Sequence, residues 1–188
     1  NRNKIKTPNG VVLLTTPVLA KLGQTLDGIL INNSVPWRKK HWHSIEQSYR
    51  KAPFFAEYAA FLYDTYARDW ESFNALNGHM LAFFVEKLGI KTRVAYASDL
   101  NVPGEATERL VNLIKAVGGD GYYSGAYALE QYLDIALLEK AGIRLELQEW
   151  RAPNYPQLHG AFVPELSIID LLMNCGPDSL GILLGDHA

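Results

Sequence analysis

The chain has 188 residues, of which 48% are hydrophobic and 20% are charged, a composition typical of a globular domain. It contains no run of 18 apolar residues, so the sequence predicts no membrane-spanning helix. Its single cysteine excludes an internal disulfide and a cysteine-based zinc site, and its five histidines form no HExxH motif. We therefore predict no metal site.

Positive charge is concentrated near the start of the chain. Residues 1–51 hold nine Lys or Arg against two Asp or Glu, a balance of +7, whereas residues 52–188 carry a balance of −9. This asymmetry predicts a cationic surface for a small anionic ligand, although a solvated basic face that complements the acidic remainder explains it equally well. A pI near 6.2 for the whole chain argues against nucleic acid as the partner.

Hydrophobic and β-branched patterns predict the secondary structure in chain order. The run at 11–16 predicts a strand and residues 28–32 predict a second one. Asn33 and Ser34 then predict the start of a helix, with Pro36 near its first turn. The remaining predicted segments are a helical region in two pieces at 54–88, a strand at 91–97, a helix at 105–117, a strand at 122–124, a helix at 132–141 and a strand at 143–150.

The strand–helix–strand order between residues 91 and 124 is typical of a βαβ unit, which implies a parallel sheet. We therefore predict an α/β fold with a mostly parallel sheet, helices on both faces and a helical insertion at residues 36–88. No internal repeat, low-complexity tract or long linker interrupts the sequence. We expect one α/β domain over residues 1–188.

A basic cluster opens the predicted helix after Pro36. Backbone N–H groups and cationic side chains at such a position can bind phosphate, and the candidates are Arg38, Lys39, Lys40 and His41. The same helix has an apolar stripe at four-residue spacing, formed by Trp37, His41, Ile45 and Tyr49. His41 therefore has an alternative role as a hydrogen-bonded core residue. Ser124, at the end of a predicted strand, is a further candidate for substrate binding, although no GxSxG motif surrounds it.

The segment from Tyr155 to Pro177 places polar side chains within a strongly apolar run. Ser167, Asp170 and Asn174 are three and four residues apart, which puts them on one face of a helix. A carboxylate in such surroundings must be hydrogen-bonded, paired or functional, because its burial alone is costly. The spacing of Ser167 and Asp170 also fits a capping box, so a purely structural role is an equally open alternative.

Three polar residues precede this helix at alternating positions. Tyr155, Gln157 and His159 would point to the same side of an extended segment and are candidates for substrate binding and catalysis. His159 with Asp170 could form an acid–base pair for proton transfer. Cys175 could add a nucleophile that forms a thioester, or it could be a small buried packing residue.

Several phrases of this sequence, taken in order, resemble the WbqC-like family over the whole chain. They include Asn-Arg-Asn-Lys-Ile-Lys at 1–6, Pro-Trp-Arg-Lys-Lys-His-Trp at 36–42, Tyr-Tyr-Ser-Gly at 122–125, Tyr-Pro-Gln at 155–157 and Leu-Ser-Ile-Ile-Asp-Leu-Leu at 166–172. Family members begin with a further segment before the first phrase, so we expect this chain to be N-terminally incomplete.

The resemblance implies a bacterial, cytoplasmic protein associated with the biosynthesis of surface polysaccharides such as O-antigen. It also implies a transferase that places an acyl or aminoacyl group on a nucleotide-linked amino sugar. A non-catalytic binding or scaffold protein of the same pathway is the alternative. The resemblance identifies no cofactor, and it leaves oligomer formation open.

Overall fold

The structure is a computed structural model that describes residues 1–125, 127–128 and 132–185. By packing, the chain divides into two compact units, one formed by Asn1–Lys91 with Ala152–Ala188 and the other by Thr92–Arg151. Each unit has its own cluster of buried apolar side chains. The single domain over residues 1–188 stays a prediction.

An antiparallel hairpin opens the first unit. Strand β1 (Arg2–Thr7) pairs with β2 (Gly10–Thr15), so the predicted strand at 11–16 exists and has a partner that the sequence pattern did not reveal. Ile5 and Lys6 are both buried, although neighbouring strand residues point to opposite faces. Ile5 joins the main core, whereas the side chain of Lys6 is covered by a segment from much later in the chain.

A second, shorter antiparallel pair follows the hairpin. Strand β3 (Val18–Leu19) pairs with β4 (Leu30–Ile31), which lies within the strand predicted at 28–32. The chain then enters the helical region. Its three helices are α1 (Trp37–Tyr49), α2 (Phe55–Ala67) and α3 (Phe73–Lys87).

The second unit contains a parallel strand pair. Strand β5 (Gly121–Ser124) pairs in parallel with β6 (Arg144–Leu147). The helices described in this unit are α4 (Ala97–Leu100), α5 (Ala106–Ala116) and α6 (Ile135–Lys140), the last of which lies between the two strands in sequence. Its buried apolar cluster is formed by Val111, Leu133, Leu138 and Ile143.

The observed fold is mixed α/β, but the predicted mostly parallel sheet is not shown. The described residues form three two-stranded sheets, of which two are antiparallel and only β5–β6 is parallel. Residues 91–96, predicted as part of a strand, are exposed and have no strand partner in the described part of the chain. The βαβ order therefore occurs one step later than predicted, because a β-branched run becomes a strand only where a neighbour can pair with it.

Two short helices complete the first unit, α7 (Ile168–Cys175) and α8 (Ser179–Leu184). Helix α7 packs its apolar side chains into the core between β1 and the first two long helices. That core consists of Ile5, Ile45, Tyr49, Ala52, Tyr58, Leu62, Ile169, Leu172 and Met173. Within the described ranges, no helix is both long enough and apolar enough to cross a membrane.

Candidate functional site

Helix α7 carries Asp170 into the core of the first unit. The residue is 0% exposed, and its Oδ1 accepts a hydrogen bond of 2.8 Å from the hydroxyl of Tyr49. Its Oδ2 is buried and has no hydrogen-bond partner among the described residues. Burial raises the pKa of the Asp170 carboxyl, and the hydrogen bond from Tyr49 opposes this rise.

Tyr49 links Asp170 to the first strand. Its hydroxyl accepts a hydrogen bond of 3.0 Å from the backbone N–H of Lys6 while it donates to the Asp170 carboxyl. Burial, followed by the charge of Asp170, raises the pKa of the Tyr49 phenol well above its usual range. Tyr49 therefore keeps its proton at physiological pH and acts as a permanent donor to Asp170.

The side chain of Lys6 is bound by the segment that precedes α7. Lys6 is 3% exposed, and its Nζ donates to Gln157 Oε1 at 3.1 Å, to the Gly160 carbonyl at 3.3 Å and to the Ala161 carbonyl at 2.6 Å. An ammonium group has three N–H donors, and each of them has an acceptor here. Its positive charge also lowers the pKa of Asp170.

The side chain of Gln157 stabilises the loop over residues 157–163 by hydrogen bonds inside the loop. Its side-chain amide donates to the Val163 carbonyl at 2.9 Å and its Oε1 accepts from the Val163 N–H at 2.9 Å. The ring of Tyr155 packs edge-on against Phe162, with 5.6 Å between centroids. The Tyr155 phenol is close enough to lower the pKa of Asp170, although the pair forms no hydrogen bond of ordinary distance and angle.

His159 is the partly exposed titratable group of this loop. Its Nε2 lies 2.8 Å from the backbone carbonyl of Ser48, at the end of α1. A carbonyl oxygen can only accept, so Nε2 carries a proton and Nδ1 is the proton-accepting nitrogen of the neutral ring. No hydrogen bond joins His159 to Asp170 in the described part of the chain: Asp170 Oδ1 accepts from Tyr49, and Nε2 of His159 is bound to Ser48. The positive charge of a protonated His159 would lower the pKa of the Asp170 carboxyl.

The other predicted residues of this segment make local contacts. Ser167 caps α7, with its hydroxyl accepting from the Ile169 N–H at 3.5 Å, and Asn174 donates to the Asp170 backbone carbonyl at 2.7 Å. Burial raises the pKa of the Cys175 thiol to about 11, with smaller contributions from nearby acidic charges. The thiol is therefore protonated at neutral pH, which makes it a poor nucleophile.

The basic residues of α1 separate into two groups. Lys39 and Lys40 are exposed, whereas Arg38 forms an ion pair of 2.6 Å with Asp69. His41 is buried, with its ring edge-on to the rings of Trp37 and Tyr66 at centroid distances of 5.2 and 5.6 Å. Burial lowers the pKa of His41, so its ring is a neutral core group and does not add a charge to a phosphate site.

Ser124 belongs to the second unit, so the site in the first unit is described without it. It is buried at the end of β5, and its hydroxyl donates to the Gly125 carbonyl at 3.3 Å.

Two residues at the centre of the site, Lys6 and Tyr49, were not among the sequence-based candidates. Tyr49 gave a signal, since it belongs to the apolar stripe of α1, but a tyrosine there indicates only burial. Nothing in the local pattern around Lys6 indicates burial, because a lysine is ordinarily exposed. A buried Lys–Tyr–Asp cluster becomes visible only when β1, α1 and α7 are packed together.

The fold and the site thus define a mixed α/β protein with a buried carboxyl linked to Lys6 and Tyr49. Residues 1–182 match the profile of the WbqC-like protein family, and the chain belongs to that family. A protein of Mycobacterium tuberculosis described as uncharacterized, Rv1507c, is 35% identical over 183 residues, which cover 95% of this chain and 78% of the relative. No solved structure matches the chain.

Proposed function

We propose that this protein acts in bacterial surface-polysaccharide biosynthesis, such as that of O-antigen, by transferring an acyl or aminoacyl group to a nucleotide-linked amino sugar. The supporting observation is the Asp170 carboxyl, which is buried and has one oxygen without a hydrogen-bond partner among the described residues. It lies near the 157–163 loop, in which His159 is partly exposed. A buried carboxyl whose pKa is raised in this way is a candidate for a functional site.

His159 is the proton acceptor in the proposed reaction. The sugar amine forms a C–N bond with the carbonyl carbon of an activated ester or thioester donor, and its proton passes to Nδ1 of His159. The bond from the acyl carbon to the donor's oxygen or sulfur breaks, and the imidazolium returns the proton to that leaving group. Asp170 stabilises the imidazolium through its charge.

The phosphates of the nucleotide are assigned to the exposed lysines of α1. Lys39 and Lys40 lie at the start of this helix and Ser48, which binds His159, lies near its end. The separation along the helix axis is about 13 Å at 1.5 Å per residue. An extended ligand could place its phosphates at one end of α1 and its sugar at the other, with Tyr155 and Gln157 beside the sugar.

Thermal unfolding with UDP-glucosamine and UDP-glucose tests the proposal. A ligand at a hundred times its Kd adds about 2.7 kcal/mol of stability, so binding is easily visible. We expect stabilisation by the amino sugar, reduced in a Lys39→Ala/Lys40→Ala variant and retained in the matched control Lys21→Ala, another exposed lysine. Mass spectrometry of the sugar after addition of an acyl thioester would then detect transfer.

A binding or scaffold protein of the same pathway is the second candidate. It is favoured by the complete burial of Asp170 and by the local roles of Ser167 and Asn174, which cap and brace α7. If neither UDP sugar stabilises the protein, and substitutions at Asp170 change stability alone, this second candidate replaces the first.

A further inference from the structure

The ammonium group of Lys6 has all of its hydrogen-bond donors in use. Each of its three ammonium donors meets an acceptor of the loop at Gln157, Gly160 or Ala161. No donor is left for a phosphate or a sugar hydroxyl. A lysine that is 3% exposed and fully hydrogen-bonded to one loop acts on that loop and not on a ligand.

The loop that Lys6 binds contains a strained backbone position. His159 has φ of +65°, a left-handed conformation that is uncommon for residues other than glycine. Such conformations persist only where surrounding contacts over-determine them. Here the backbone carbonyls of the two residues that follow His159 both accept hydrogen bonds from the Lys6 ammonium.

Lys6 also contacts the acidic side of the site through its backbone. The Lys6 N–H donates to the Tyr49 hydroxyl, which in turn donates to Asp170. We propose that Lys6 is a positioning residue, which holds the 157–163 loop so that His159 stays bound to Ser48 beside Tyr49 and Asp170. The inference deepens the proposed function, on which the catalytic meaning of this placement rests.

NMR of Lys6→Met tests the placement without any substrate. A histidine ring N–H bound to a carbonyl exchanges slowly and gives a visible signal, so wild type should show the Nε2 proton of His159. We expect Lys6→Met to lose this signal and to exchange the Val163 amide about tenfold faster or more. Lys4→Met is the matched control, since Lys4 lies on the same strand with a side chain 39% exposed, and it should keep both properties.

Further variants keep the result decisive. Lys6→Arg retains the charge and several donors, and it should restore the His159 signal at least in part. If Lys6→Met does not fold, as judged by circular dichroism, Gln157→Leu cuts the same link from the loop side and should also lose the signal. An unchanged His159 signal and Val163 exchange in the folded variant would overturn the inference.

The two proposals fail separately. Absence of UDP-glucosamine binding to wild type would refute the proposed function and leave the NMR result intact. Normal binding together with an undisturbed loop in Lys6→Met would refute the positioning role alone.

Discussion

Replacement of Tyr49 by phenylalanine probes the centre of the site with the loss of a single oxygen atom. The change leaves the Lys6 backbone N–H and the Asp170 Oδ1 buried without their partner. An unsatisfied buried polar group costs about 1–3 kcal/mol, and more when it is charged, so we expect a loss of roughly 3–5 kcal/mol in the free energy of unfolding. The ring itself still fills its place in the core.

Urea unfolding followed by circular dichroism measures this loss. With a slope of roughly 2 kcal/mol/M, the midpoint should fall by about 1.5–2.5 M while the slope stays unchanged. Tyr63→Phe is the control, because Tyr63 is 54% exposed and its substitution should stay within about 0.5 kcal/mol. A midpoint shift for Tyr49→Phe as small as that of the control would refute the reasoning about the hydrogen-bonded chain.

Three further predictions follow from buried groups. Because burial raises the pKa of Asp170, the folded state binds the carboxyl proton more tightly than the unfolded state does. The protonated carboxyl therefore contributes stability at low pH. This stability is lost as the pH rises from the pKa of the unfolded chain, near 3.9, through the pKa of the folded protein. Asp170→Asn should abolish this decline, which is at most about 1.4 kcal/mol per pH unit in that window; equal slopes of stability against pH in the two proteins would contradict this prediction. Gly176→Ala should lower the unfolding midpoint more than Gly185→Ala, since both positions have positive φ but only at Gly176 would a Cβ overlap the Phe54 ring; equal losses would contradict this. Cys175, with a pKa of about 11, should react with Ellman's reagent about 100-fold or more slowly in the native protein than in urea, and comparable rates would show an accessible thiolate.

The helices could be predicted from the sequence because apolar spacing and capping residues lie within the helix that they indicate. The stripe of Trp37, Ile45 and Tyr49 indicates the buried face of α1, and all three are buried. The spacing of Ser167 and Asp170 fits a helix start, and α7 begins at Ile168 with Ser167 as its cap. Each of these signals is contained within a few turns of one helix.

Strand pairing and the site depend on contacts that no local pattern contains. The β-branched run at 11–16 predicts a strand, but its partner β1 begins with polar residues, which give little indication of a strand. Lys6 and Ala161 are 155 positions apart, so the burial of that lysine could not be read from its neighbours. The phenol between Lys6 and Asp170 likewise becomes a bridge only through tertiary packing.

The most direct test of the central claim is to follow the His159 ring signals by NMR while UDP-glucosamine is added, with UDP-glucose as the matched ligand. If His159 receives the proton of the sugar amine, its ring signals should shift with saturation on addition of the amino sugar and respond less to glucose. Binding of both sugars with unmoved His159 signals, or binding of neither, would contradict the assignment of His159 and Asp170 to proton transfer.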